Sequence, residues 1–155
     1  MPTILPPWPH VLFGILEPFS LVLGSLAPIY DLDGFIAGQT PHADPPISHP
    51  STLALAYQIG NLYSLLFLVG VGILHTTTEP KVIRNYMIGL AIADVGHVYA
   101  TYLGMGWNAF ADVGAWNALT WGNIGVTAFL FLNRLGYLAG LFGSARAPKV
   151  VSKKE

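Results

Sequence analysis

Four long apolar runs, separated by short polar stretches, dominate the hydrophobic pattern of this 155-residue chain. The runs occupy about residues 9–27, 51–75, 82–104 and 117–142. Each is close to the roughly 20 residues that an α-helix needs to cross a hydrocarbon core about 30 Å thick. The pattern predicts an all-α fold: an integral membrane four-helix bundle in one domain covering residues 1–155, with a polar tail at residues 143–155.

The stretches between these runs carry the signals of loops and turns. Residues 28–50, "PIYDLDGFIAGQTPHADPPISHP", are rich in Pro, Asp and His, and we expect a loop there. Residues 76–82, "TTTEPKV", predict a tight turn that closes at Pro80. Residues 105–116, "MGWNAFADVGAW", predict a short connection whose aromatic side chains lie at the membrane interface.

Composition supports a membrane environment over an aqueous one. Hydrophobic residues make up 53% of the chain and charged residues only 10%, against about 25% charged residues in a typical soluble domain. So few charges would cover a soluble surface poorly, although a soluble bundle of buried helices stays open as an alternative. The formal charge of −1 gives no reason to expect nucleic acid as a partner.

Several chemistries lack a signal in the sequence. Cysteine is absent, which excludes disulfides and thiolate metal sites. No histidine spacing such as HxxxH indicates a metal, so neither a metal nor another cofactor is predicted. Nucleophilic hydrolysis would need a GxSxG motif or a triad, and none is visible.

Basic residues set the predicted orientation, because cytoplasmic loops carry an excess of Lys and Arg. With four spans, the termini and the second connection share one side, which holds Lys81, Arg84, Arg146, Lys149, Lys153 and Lys154. The other side holds Asp31, Asp33, Asp44 and Asp112 and no cation. Both termini are therefore predicted to be cytoplasmic. The C-terminal "KKE" favours the endoplasmic reticulum, and the N-terminus without a basic residue is a poor cleavable signal peptide.

Three charged residues interrupt the apolar runs. Glu17 lies about eight residues from the cytoplasmic end of its run, Asp94 about twelve and Arg134 about eight. At 1.5 Å per residue, all three fall near the middle of the membrane and within about 6 Å of each other in depth. Isolated charges are costly there, so we expect these side chains to face inward and pair.

Each run also carries other polar residues at helical spacing, so that one polar seam follows each helix. The seams comprise His10, Glu17, Ser20 and Gly24; Gln58, Asn61 and Leu65; Met87, Asp94, His97 and Thr101; and Asn123, Thr127 and Arg134. A bundle that turns all four seams inward would enclose a polar chamber at mid-membrane. This chamber is predicted to open to the lumen or sideways to lipid.

Two interpretations of the chamber stay open. In the structural one, Arg134 pairs with Glu17 or Asp94 while the amides join helices by hydrogen bonds, each weak. In the chemical one, Asp94 or Glu17 donates a proton, since burial favours the protonated carboxyl. His97 would then be the base or an orienting partner, and Arg134 the counter-ion. The predicted substrate-binding residues are Asn61, Gln58, Trp121, Asn123, Thr101 and Tyr63.

Short motifs spread over the chain carry a resemblance to known families. "LEPFS", "NLY", "IADVGHVY", "WGN" and "NR", from Glu17 to Arg134, resemble a family of short fungal membrane proteins without an assigned function. The architecture is similar to the EXPERA group, which includes emopamil-binding sterol isomerases and sigma-2-type receptors. That resemblance implies a helical bundle that encloses sterol-like molecules beside intramembrane acids. Fungal membrane terpene cyclases are similar in placing acids in an apolar chamber.

Together these observations predict a membrane isomerase or cyclase that acts on a sterol or terpenoid by protonation and deprotonation. Its partners would be an apolar lipid or terpenoid substrate and membrane lipids, with a homo-oligomer left open. The second hypothesis is a non-catalytic lipid- or sterol-binding or trafficking protein that uses the same chamber. The third is a structural subunit of a membrane complex.

Overall fold

A computed structural model describes residues 3–41 and 49–143, and the regular structure of these residues is helical, with no strand among them. The elements, in chain order, are as follows. Helix α1 joins Pro7–Val11, a π-helical segment Leu12–Leu16 and Glu17–Tyr30; α2 is Leu32–Ala37; α3 is Pro50–Thr76; α4 is Pro80–Ala111; and α5 joins a turn Ala118–Thr120, a π-helical segment Trp121–Val126 and Thr127–Leu138. The all-α prediction is confirmed for this part of the chain.

Proline sets the starts of two long helices, because its missing N–H and fixed φ suit the first helical turn. Helix α3 begins at Pro50, and the N–H of Ser51 donates to Nδ1 of the capping His49 at 3.2 Å. Helix α4 begins at Pro80, only four residues after α3 ends at Thr76. The predicted tight turn between them is confirmed.

The predicted loop over residues 28–50 is partly wrong. Helix α1 continues to Tyr30, and the short helix α2 follows at once. Asp31 makes this possible, because its carboxylate accepts the N–H of Gly34 at 2.9 Å and caps α2. Residues 42–48 of this stretch, which include Asp44, lie outside the described residues.

The predicted connection over residues 105–116 is also mostly helical. Helix α4 continues to Ala111 and changes direction at Gly106, whose φ of 74° is a conformation that glycine adopts without strain. A 3₁₀ turn, Val113–Ala115, follows, and the indole of Trp116 donates back to the carbonyl of Ala109 at 3.1 Å. The polar tail from residue 144 onward, with Arg146 and the last three lysines, lies outside the described residues.

The helices pack mainly as two pairs, α1 with α3 and α4 with α5. Small residues bring α1 and α3 close together: a Cβ on Gly60 would lie 2.8 Å from Cγ of Pro28 and 3.1 Å from the carbonyl oxygen of Ser25. A Cβ on Gly24 would lie 3.0 Å from the ring of Tyr63. Close backbone approach at small residues is typical of helix pairs in membranes.

A compact apolar cluster joins the two pairs at the end where the N-terminal segment meets the α3–α4 turn. Its buried members are Ile4, Leu5, Leu12, Phe13, Leu74, Ile83 and Met87. The hydroxyl of Thr3 donates to the carbonyl of Leu74 at 3.0 Å and fastens the N-terminal segment to α3. The core therefore lies at one end of the helices, and much of their remaining length is exposed.

Two helices, Pro7–Tyr30 and Pro50–Thr76, are long and apolar enough to span a membrane. Neither α4 nor α5 is among them. Length and composition alone are weak evidence for membrane association, because the core helix of a soluble protein can pass the same test.

The close contact at Gly60 predicts opposite outcomes for two matched glycine substitutions. Alanine favours a helix over glycine by about 1 kcal/mol, so Gly89→Ala, where a Cβ meets nothing within 4 Å, should leave the melting temperature unchanged or raised. Gly60→Ala should lower it, because the new methyl would press on Pro28. Thermal unfolding of the purified variants checks this, and equal stabilisation by both would contradict the packing described.

Candidate functional site

A buried ion cluster joins three helices. The guanidinium of Arg134 in α5 donates through Nη2 to Oε1 of Glu17 in α1 and through Nη1 to Oδ2 of Asp94 in α4. Arg134 is only 1% exposed and each carboxylate side chain 12%. The ring of Phe13 lies 5.2 Å from Cζ of Arg134, a cation–π distance. The prediction that the three charged side chains pair is confirmed, and Arg134 binds both acids, where the sequence predicted Glu17 or Asp94.

Irregular backbone precedes the acid on α1. The π-helical segment Leu12–Leu16 lies directly before Glu17. Such a segment adds residues to one turn and so changes the helix face on which the following residues lie. Pro18 has no N–H to offer the carbonyl of Gly14 four residues earlier. That carbonyl instead accepts Nε2–H of His75 at 3.0 Å, which links α1 to α3 beside the cluster.

Helix α5 is fixed in a similar way near its ionised residue. The π-helical segment Trp121–Val126 lies upstream of Arg134, and the hydroxyl of Thr127 donates to the carbonyl of Gly122 at 3.3 Å. Next to Arg134, the amide oxygen of Asn133 accepts the indole N–H of Trp8 at 2.8 Å. The Trp8–Asn133 bond joins α5 to the start of α1, next to the contact between Arg134 and Glu17.

An apolar cavity of about 360 Å³ adjoins the cluster between α4 and α5. Its inner surface is almost wholly apolar, and the residues that line it are Asp94, Val95, Val98, Tyr99, Tyr102, Phe110, Thr127, Ala128 and Phe131. The aromatic part of the wall is continuous: the rings of Tyr99 and Tyr102 stack at 6.1 Å, and Phe110 meets Tyr102 edge-on at 5.4 Å. Val95 and Tyr99 are more than half exposed, so the cavity opens at the outer surface.

Other residues predicted from the third run lie near Asp94 but outside this cavity. His97 is half-buried and, within the described part of the chain, makes no hydrogen bond to Asp94. The hydroxyl of Thr101 donates to the carbonyl of His97 at 3.0 Å, a bond within α4 itself. The carboxylate of Asp94 is instead held by Arg134.

The predicted inward orientation of the α3 seam is wrong. Gln58 and Asn61 are exposed on the face opposite the one that packs on α1. The packed face carries small residues such as Ala56 and Gly60, which allow the helices to approach closely. Tyr63, on the packed side, lies half-buried against Gly24.

The other two predicted pocket residues lie away from the cluster. Trp121 is 48% exposed and meets the ring of Trp116 at 5.1 Å. The amide of Asn123 donates to Oε1 of Gln39 at 2.9 Å, which joins α5 to the end of α2. The predicted single polar chamber is therefore not formed by these residues.

The cavity wall was missed by sequence reasoning, although a signal was present. Val98 and Tyr102 follow Asp94 at intervals of four residues, so they share its helical face. The prediction followed His97 and Thr101 instead, which lie about 60° and 20° from Asp94 on the other side of it around the helix, whereas Val98 and Tyr102 lie about 40° and 80° away on the cavity side. An apolar wall has no polar pattern to mark it. No group of three or more His, Asp or Glu residues in the described ranges could hold a metal ion.

The cluster predicts strongly non-additive effects of neutralising its acids. Glu17→Gln or Asp94→Asn leaves Arg134 one ionised partner, so each alone should destabilise the protein modestly. The double variant leaves a buried guanidinium with no counter-ion, which should cost about 3–5 kcal/mol in total and more than the sum of the two single effects. Chemical denaturation in detergent measures this, with the exposed Asp112→Asn as the matched control; additive effects would contradict the cluster as described.

Comparison with known proteins supplies a family but no activity. The model of a domain of unknown function, DUF7704, matches residues 2–144, nearly the whole chain. No curated protein and no solved structure matches significantly. The match bears neither on a fungal origin nor on the EXPERA resemblance, which stay predictions. With this coverage and the helical fold described above, the chain belongs to the DUF7704 family.

Proposed function

We propose that the protein is an integral membrane protein of the endoplasmic reticulum with four spanning helices and cytoplasmic termini. Exposure of its apolar helices supports this placement. A core helix of a soluble protein is mostly buried, whereas only 28% and 17% of the two most apolar segments are buried. Leu23, Leu26 and Ile29 on α1 are each more than half exposed. Exposure of these side chains to water is unfavourable, whereas contact with lipid chains is not.

Within this membrane, we propose an isomerase or cyclase that acts on a sterol or terpenoid. One observation carries the proposal: Asp94 belongs both to the buried ion cluster and to the wall of the apolar cavity. A cavity of about 360 Å³ falls in the usual range for small-ligand sites. Its wall suits a hydrocarbon skeleton, because the surface that faces the cavity is almost wholly apolar.

The charge of the cluster supports acid–base chemistry. Two carboxylates and one guanidinium sum to −1, whereas the same groups with one extra proton are neutral. In a medium of low dielectric constant the neutral combination is favoured, since an uncompensated charge is expensive to bury. The cluster then holds one proton shared by Glu17 and Asp94, and Asp94 is the member at the cavity.

The proposed reaction moves a double bond or closes a ring without net consumption of the proton. Asp94 donates its proton to one carbon of an alkene, and a carbocation forms on the neighbouring carbon. Loss of a proton from an adjacent carbon restores neutrality and returns the proton to the Asp94 carboxylate. The faces of Tyr99, Tyr102 and Phe131 would stabilise the cation through their π electrons. His97, which does not line the cavity, has no assigned step.

The alternative function is non-catalytic binding or transport of a lipid or sterol. The observation that favours it is the engagement of Asp94 by Arg134, which lowers the freedom of the carboxylate to meet a substrate. The cavity would then bind the apolar part of the lipid, and the ion cluster would only stabilise the contact between the helices.

Isotope transfer from water separates these two functions. Membranes containing the protein are incubated in D₂O with a panel of unsaturated sterols and linear terpenoids, and products are examined by mass spectrometry. The enzyme should place deuterium at a carbon of the product, and Asp94→Asn should abolish this while lipid still copurifies with the folded protein. Asp112→Asn, which alters an acid far from the cluster, should leave labelling unchanged. Copurified lipid without labelling in the unaltered protein would favour the binding function.

Filling the cavity should remove lipid binding under either function. Ala128→Trp adds a bulky ring to the wall and takes up space that a ligand would occupy. The amount of copurified sterol or terpenoid should therefore fall by about tenfold or more. Ala93→Trp, at an exposed position of α4 outside the cavity, is the matched control. Equal retention of lipid by both variants would place the ligand elsewhere.

A further inference from the structure

Helix α3 has a second face that the fold leaves uncovered. Six residues, spaced alternately by three and four positions, are exposed on the side opposite the contact with α1: Ala54, Gln58, Asn61, Leu65, Leu68 and Gly72. We name this set the α3 outer seam. Leu65 is 53% and Leu68 64% exposed, and a Cβ on Gly72 would meet nothing within 4 Å. Spacing of this kind is that of a left-handed helix pair.

Two primary amides lie in the N-terminal half of this seam. Gln58 and Asn61 come eight and eleven residues after Pro50, so they lie about 12 and 16 Å along a helix about 40 Å long. Neither amide is hydrogen-bonded to a side chain or backbone group of residues 3–41 or 49–143. In the hydrocarbon core of a membrane, such groups need a hydrogen-bond partner from protein, because no water is present to hydrogen-bond them.

We propose that two copies of this chain pair through the α3 outer seam; the proposal rests on the membrane placement put forward above. All copies insert in the same orientation, so a two-fold axis along the membrane normal sets Asn61 opposite the same residue of the second copy, at the same depth. An amide carries both a donor and an acceptor and is therefore complementary to itself. Ala54 and Gly72 at the two ends of the seam permit close approach.

A second exposed stripe provides a contrast. On α4, Gly89, Ile92 and Gly96 are also exposed and spaced by three and four residues. The next exposed positions at the same spacing are Asn85, which lies only about 8 Å from the start of α4, and Tyr99, which lines the cavity. Gln58 and Asn61 lie deeper in their helix than Asn85 does in α4, and this depth favours the α3 face as the dimer contact.

Cysteine cross-linking tests the pairing directly, since the chain contains no cysteine of its own. The full chain carrying Leu65→Cys or Leu68→Cys is oxidised in its native membranes with copper phenanthroline, and the size of the product is examined without reductant. Both variants should form a covalent dimer. Ile59→Cys, exposed on the same helix about 120° away from Leu65, is the matched control and should stay monomeric.

Removing the amides provides the second measurement. Adding Asn61→Leu and Gln58→Leu to Leu65→Cys should slow cross-linking by about threefold or more, as loss of interhelical hydrogen bonds predicts. Cross-linking of Ile92→Cys but not Leu65→Cys would overturn the choice of face, and cross-linking to a different protein would overturn the choice of a second copy.

Washing the membranes with alkaline carbonate distinguishes failure of the dimer proposal from failure of the proposed membrane placement. A chain that stays in the membrane and gives no seam dimer overturns the pairing alone. A chain released by the wash overturns the pairing and the membrane placement together.

Discussion

One buried guanidinium dictates how the helices of this protein meet. Arg134 is almost wholly excluded from solvent and lies between Glu17 and Asp94, so α1, α4 and α5 must converge wherever it is neutralised. A buried charge without its partners is strongly destabilising, whereas hydrophobic contacts tolerate small shifts. The apolar cluster around Phe13, Leu74 and Met87 packs beside these ions, with the ring of Phe13 against the guanidinium.

The same arrangement gives the site its chemical character. The cluster contains one more acid than base, and one of those acids, Asp94, is also part of an aromatic-lined apolar cavity. The proposed reaction needs a proton donor beside an apolar substrate, and an acid that belongs to both the ion cluster and the cavity wall would supply it. Stability and the proposed activity thus depend on the same three side chains.

Much of this framework could be predicted from the sequence, because its signals are local. Long apolar runs give the helices, proline gives their starts, and charges inside apolar runs must pair, which identified Glu17, Asp94 and Arg134. Helix facing was harder to predict. Polar periodicity predicted that Asn61 faces the interior of the bundle, but α3 packs on α1 through the face that carries the small residue Gly60. The π-helical segments of α1 and α5 also change the helix face on which the residues after them lie. The apolar cavity wall had no polar residues to mark it.

The protonation state of the ion cluster tests the central claim most directly. Infrared difference spectroscopy of the protein in lipid, at neutral pH and with exchange into D₂O, detects the carbonyl stretch of a protonated carboxyl group. The account predicts one such band that disappears in both Glu17→Gln and Asp94→Asn, because either change leaves a neutral pair of one acid with Arg134. A spectrum without that band, or a band unchanged in both variants, would contradict it.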